Sequence, residues 1–163
     1  MQTGLSRREF LTRKPRPAVM RPPHAVAEAD FGALCDACGA CLDACPEAII
    51  VIGADELPRL DLSYEGCTFC AACMDACPMG ALDAGAARLW TWKADIGATC
   101  LSFIGITCRT CGDACEAEAI RFRLQPGGRD VPLLDHDACT GCGTCKAICP
   151  VDAVRMIEWG QEA

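Results

Sequence analysis

The sequence predicts an α+β protein of two small tandem units behind a basic, disordered N-terminal tail. Three observations carry that expectation. Sixteen of the 163 residues are cysteine, a fraction met mainly in disulfide scaffolds and cysteine-ligated metal proteins. They fall into four groups of four: Cys35, Cys38, Cys41, Cys45; Cys67, Cys70, Cys73, Cys77; Cys100, Cys108, Cys111, Cys115; and Cys139, Cys142, Cys145, Cys149. The first pair of groups recurs as the second pair, Cys38 to Cys70 spanning 32 residues and Cys108 to Cys142 spanning 34, so the chain reads as one unit duplicated. The divisions that follow are a tail over 1–30, a first unit over 31–86, a connecting segment over 87–99 and a second unit over 100–163.

The tail stands apart in charge. Residues 1–24 carry six basic side chains against Glu9, a net of +5, which leaves −12 on the rest of a chain whose total is −7. An acidic body of this kind does not suit nucleic acid. Ser6-Arg7-Arg8-Glu9-Phe10-Leu11 looks like a twin-arginine export motif, but the apolar stretch of about 7 to 15 residues that an export signal needs is missing. Thr12-Arg13-Lys14-Pro15-Arg16-Pro17 stands in its place. The tail is therefore expected to stay uncleaved and the protein to be cytoplasmic, where reducing conditions suit thiolate ligands. Arg7, Arg8, Arg13, Lys14 and Arg16 are candidate partner-binding residues; contact with anionic lipid and a merely solvated tail are the other readings. The longest apolar run, Ala48-Ile49-Ile50-Val51-Ile52, is far short of the roughly 18 to 20 residues a transmembrane helix requires.

Each unit should contain a hairpin between its cysteine groups. In the first, Ala48 to Ile52 is rich in β-branched residues, Gly53-Ala54-Asp55 turns the chain and Leu60-Asp61-Leu62 alternates. In the second, Ala119 to Leu124 alternates apolar with basic, Pro126-Gly127-Gly128 is the turn and Val131 to Leu134 returns. Trp90 and Trp92 in the connecting segment fit either an electron-relay or docking role or packing against a neighbouring unit, and packing is the commoner use of large aromatics. Cysteine and alanine make up half of the apolar residues, so an ordinary side-chain core would be thin for this length.

Groups one, two and four read Cys-x2-Cys-x2-Cys-x3-Cys-Pro, ending at Pro46, Pro78 and Pro150. This is the bacterial ferredoxin spacing for [4Fe–4S] clusters, in which three thiolates wrap one cluster and the fourth ligates the other of a pair. The proline ends the short helix that precedes it. Small residues between the ligands, Ala37, Gly39, Ala40, Ala71, Ala72, Gly141, Gly143 and Thr144, let backbone N–H groups approach the anionic cluster. The crossed rule gives explicit sets: Cys35, Cys38, Cys41 and Cys77 for the first cluster, and Cys67, Cys70, Cys73 and Cys45 for the second. Cys100, Cys108, Cys111 and Cys149 make the third, and Cys139, Cys142, Cys145 and Cys115 the fourth, so four [4Fe–4S] clusters are expected.

Group three departs from the pattern. Its first gap holds seven residues instead of two, Gly105 stands in register with a regular first ligand, and Glu116 replaces the proline. A looped-out first ligand closing a four-thiolate site is one reading, favoured because loop insertions cost little; Cys100 as a free thiol beside a three-iron or labile cluster is the other. Disulfides lack a secretory context. Structural zinc would want separated Cys-x2-Cys pairs, often with histidine, whereas His24 and His136 lie outside the groups and are expected at the surface. No phosphate loop, dinucleotide fingerprint or nucleophile–base pair accompanies the cysteines, so the chain is expected to be a carrier or accessory protein and not an enzyme.

With these residues in hand, the sequence resembles the NapF family, the ferredoxin-type accessory proteins of the periplasmic nitrate reductase system. Ser6-Arg7-Arg8, Arg21-Pro22-Pro23, the three regular groups, the region from Trp90 through Ile96-Gly97 to Cys100-Leu101, and the stretched third group ending in Cys115-Glu116 carry the resemblance. It implies a cytoplasmic protein that binds the precursor of the molybdenum-containing catalytic subunit before export and assists its maturation, by supplying or reducing an iron–sulfur cluster. A membrane ferredoxin component of the same system is a further implied partner. Electron transfer to an oxidoreductase is the alternative function.

Overall fold

The computed structural model describes residues 18–160, apart from the side chains of residues 87–89. Arg7, Arg8, Arg13, Lys14 and Arg16 lie outside the described residues. Helix α1 (Glu28–Leu34) leads into the first cysteine group, α2 (Ala40–Asp43) follows inside it, and strands β1 (Ile50–Ile52) and β2 (Pro58–Leu60) form the first hairpin. Helix α3 (Ala72–Asp75) sits in the second group and β3 (Trp92–Ile96) in the connecting segment. Helix α4 (Thr110–Asp113), the hairpin β4 (Ile120–Gln125) and β5 (Arg129–Leu134), helix α5 (Thr144–Ala147) and β6 (Val154–Glu158) complete the second unit.

The local rules of the sequence account for most of these elements. Helices α2, α3 and α5 are single turns that stop just before the Cys-Pro pairs, where proline lacks a donor and forces the preceding residue out of the helical region. Both hairpins fall where alternating apolar residues flank glycine-containing turns, in registers Ile50 opposite Leu60 and Ile120 opposite Leu134. Two small cores result. One is built on Phe31, Ile49, Ile50, Leu60, Leu62 and Leu82, the other on Ala94, Ala119, Ile120 and Val154, and cysteines belong to both.

Two boundaries differ from the sequence expectation. The tail was expected to run to residue 30, but the chain joins the first unit from Met20, whose carbonyl accepts the Leu60 N–H at 2.7 Å. Arg21 is buried, its side chain donating to both Glu28 oxygens at 2.9 and 2.7 Å, to Asp55 at 2.5 Å and to the Pro58 carbonyl at 2.9 Å. A basic residue counted with a solvated tail is thus held charged inside by two carboxylates, Glu28 close by in sequence and Asp55 distant, and the hydrogen bond from Arg21 lowers the Asp55 pKa. The connecting segment is not a linker either. Strand β3 pairs antiparallel with β6, Trp92 opposite Glu158 and Ile96 opposite Val154. Met156 of β6 packs against both cores.

Candidate metal centres

The three regular groups share one backbone device. Residues two and four positions after the first cysteine take positive φ: Ala37 (57°) and Gly39 (84°), Phe69 (52°) and Ala71 (64°), Gly141 (78°) and Gly143 (82°). Alternating left-handed residues curl the chain into a concave nest of N–H groups suited to an anion. A second device lies three residues after each fourth cysteine, where Ala48, Gly80, Glu118 and Asp152 are all left-handed. The irregular group keeps this second half but not the first, since Arg109 has φ −126°; Thr107 and Arg109 occupy the positions where the regular loops place left-handed residues, and the β-branched Thr107 resists that region.

What replaces the nest is a folded loop. The Ser102 hydroxyl, in a residue 2 % exposed, donates to the Cys108 carbonyl at 2.7 Å. The Ile106 N–H donates to the Leu101 carbonyl at 2.9 Å and the Phe103 N–H to the Cys100 carbonyl at 3.0 Å. These bonds double the insertion back on itself and return Cys100 to the side of Cys108.

Four cavities then open among the thiols. Cys35, Cys38, Cys41 and Cys77 line the first, together with Phe31 and Leu82. Cys45, Cys67, Cys70 and Cys73 line the second. Cys100, Cys108, Cys111 and Cys149 line the third, and Cys115, Cys139, Cys142 and Cys145 the fourth. These are the four sets that the crossed spacing pairs. The irregular cage gathers four thiols around one space as the regular ones do, so its loop does not keep Cys100 away.

The donor set fits an iron–sulfur cluster. All sixteen cysteines are free thiols. Among the described residues no three His, Cys, Asp or Glu side chains converge on a single-ion site; the thiols stand around a space instead. Burial first, and then the charge of neighbouring thiols, pushes Cys41, Cys73 and Cys111 up to about 11 and Cys145 up to about 12. Burial likewise raises Cys67. Four crowded, half-buried thiolates are unfavourable alone and favourable around a cationic core, which inverts the local pKa logic. Two sulfurs accept backbone N–H groups, Cys67 from Phe69 at 3.4 Å and Cys149 from Ala153 at 3.2 Å, the kind of bond that tunes a cluster's potential.

The histidines are less exposed than expected. His24 lines the second cavity, and its Nδ1 is buried without a hydrogen-bond partner. His136 stacks on Trp159 with centroids 3.8 Å apart, and its Nε2 is buried and unpartnered. Lys93 donates to the Cys139 carbonyl, placing a cation beside the fourth cage. Sequence reasoning had no signal for either the Lys93 or the His24 placement, because both arise from contacts between separate segments.

The fold and these cages define a tandem bacterial-type dicluster ferredoxin. The model of the 4Fe-4S dicluster domain matches twice, over residues 34–81 and 106–153. Among curated proteins, the ferredoxin-type protein NapF of Haemophilus influenzae is 44 % identical over 142 residues, covering 87 % of this chain and 81 % of that protein. NapF of Escherichia coli is 38 % identical over 156 residues, covering 94 % of this chain and 95 % of its own. The methylamine utilization ferredoxin-type protein MauM of Methylophilus methylotrophus is 35 % identical over 160 residues, covering 86 % and 71 %. The chain belongs to the NapF family of ferredoxin-type proteins. The second domain match starts at residue 106, so Cys100 lies outside it, and the place of that thiol in a cage rests on the crossed pairing of the cysteine groups and on the structure, where it lines the third cavity.

Proposed function

We propose that the protein carries four [4Fe–4S] clusters and assists maturation of the molybdenum-containing catalytic subunit of a periplasmic nitrate reductase before its export, by reducing or supplying that subunit's iron–sulfur cluster. It works in the cytoplasm as an accessory protein without a catalytic site of its own, and the basic residues Arg7, Arg8, Arg13, Lys14 and Arg16 contribute to binding the precursor. A membrane ferredoxin component of the same system is a second partner. The gathering of sixteen thiols into four sets of four carries the iron–sulfur part of this reading. Kinship with the NapF proteins carries the partner part. Among the described residues no helix is long and apolar enough to cross a membrane.

The test is recovery of the partner. A tagged chain expressed in cells blocked in export should bring down the unexported catalytic subunit, and removal of residues 1–24 should weaken the recovery. Absence of that subunit from the full-length pull-down would remove the maturation reading. A plain electron-transfer ferredoxin is the second reading, favoured by the direct contact between cages of the two units, where the Cys67 N–H donates to the Cys142 carbonyl at 2.7 Å. Deleting the gene while supplying mature reductase separates them. Loss of a carrier slows turnover of the assembled enzyme, and loss of a maturation factor leaves it unchanged.

A further inference from the structure

We infer that the contact of Trp90, Phe69 and the Cys67–Cys142 hydrogen bond is the electronic junction between the two units, so that the four centres stand in one row: first, second, fourth, third. The inference rests on the cages being cluster sites and not on the identity of the partner. Cysteine spacing pairs the centres within each unit and says nothing of which centre meets which across units.

Three observations place the junction. The Cys67 N–H donates to the Cys142 carbonyl at 2.7 Å, so one hydrogen bond is the only non-covalent step between a ligand residue of the second cage and one of the fourth. Trp90 spans the same two loops. Its indole N–H donates to the Thr140 carbonyl at 2.9 Å, and its ring meets Phe69 edge-on with centroids 5.7 Å apart and planes at 88°. Phe69 lines the second cavity and Thr140 the fourth.

Glycine makes the approach possible. A Cβ on Gly66 would lie 2.8 Å from the Thr144 nitrogen and 2.9 Å from its Cα, both backbone atoms, and one on Gly143 would lie 3.1 Å from Leu62 Cγ. Any side chain at Gly66 therefore drives the two loops apart. The junction residues Cys67, Phe69, Thr140, Cys142 and Thr144 line the second and fourth cavities, and none of them lines the first or the third. Those two centres are the ends of the row, and the irregular one is a terminus. An exchange across the junction moves one electron, one centre losing what its neighbour gains, with no bond broken and no proton transferred.

The test uses full-length protein reconstituted anaerobically with iron and sulfide and reduced with dithionite. The variant C38S/C41S/C108S/C111S keeps the second and fourth cages, and C70S/C73S/C142S/C145S keeps the first and third. Each should bind about eight irons, four per remaining cluster. The first variant should show a split, fast-relaxing EPR spectrum from two coupled spins, and the second a spectrum of two isolated spins. With the irons bound, an uncoupled spectrum in the first or a coupled one in the second overturns the order. If neither loads, Gly66→Val in the otherwise intact chain decides: it should lose the coupling between units at wild-type iron content, and unchanged coupling overturns the junction. A wild-type chain that binds no iron or sulfide would instead overturn the cluster reading beneath it.

Discussion

Replacing Cys100 by alanine tests the irregular cage directly. The change removes one sulfur from a half-buried residue whose loop is held by the Ser102–Cys108 and Ile106–Leu101 bonds, neither of which uses the thiol. The cluster-free protein should therefore lose less than about 1 kcal/mol, the low end for deleting a small buried group. The loaded protein should change far more. With three thiols left in that cage, iron falls from about sixteen per chain to between about twelve and fifteen, according to whether the site empties or holds a three-iron species. Anaerobic iron and sulfide quantitation reads the loss, EPR of the oxidised protein reads a three-iron cluster, and Cys38→Ala in a regular group sets the scale. Because cluster binding is also folding energy, the melting temperature of the loaded variant should drop while that of the cluster-free variant does not. Full wild-type iron in Cys100→Ala beside a clear loss in Cys38→Ala would refute the reasoning and make Cys100 a free thiol.

Arg21→Ala should destabilise the protein by about 3 kcal/mol in urea unfolding, the low end for breaking a buried ion pair, because one partner, Glu28, is 59 % exposed and solvent screens that half. Ser102→Ala leaves the Cys108 carbonyl without its buried donor; a cost of about 1 to 3 kcal/mol should appear together with iron lost from the third cage only, visible as slower reconstitution of one cluster in four. In the cluster-free chain the thiols of Cys41, Cys73, Cys111 and Cys145 sit above their ordinary 9.0, so the folded form holds protons that the unfolded form releases. Stability should be full below pH 9 and fall as pH rises toward about 11 to 12, measurable by urea titration at fixed pH steps. The same raised thiols predict that reconstitution near neutral pH liberates protons, which a pH-stat would record.

Much of the candidate site is legible in spacing because cluster ligation is local. Three thiols within seven residues, with small residues between them, leave a loop few ways to fold, and the alternating φ signs at Ala37–Gly39, Phe69–Ala71 and Gly141–Gly143 are the result. The hairpins are legible for the same reason, their turns and alternation being contained in short windows. What spacing misses is non-local. Arg21 looks like tail charge until Asp55 comes to it, and nothing in the segment around Trp92 names β6 as its partner.

The sequence by itself determined the class of protein, the pairing of cysteine groups and the anomaly of the third, since these rest on the identity and short-range order of ligands. Tertiary structure decided the rest. It set Cys100 beside Cys108, Cys111 and Cys149, drew residues 20–30 into the first unit, and brought Cys67 against Cys142 with Trp90 alongside. Each of these joins groups far apart along the chain, Cys100 to Cys149, Met20 to Leu60 and Cys67 to Cys142, and a glycine such as Gly66 shows its purpose only when the backbone it admits is in place.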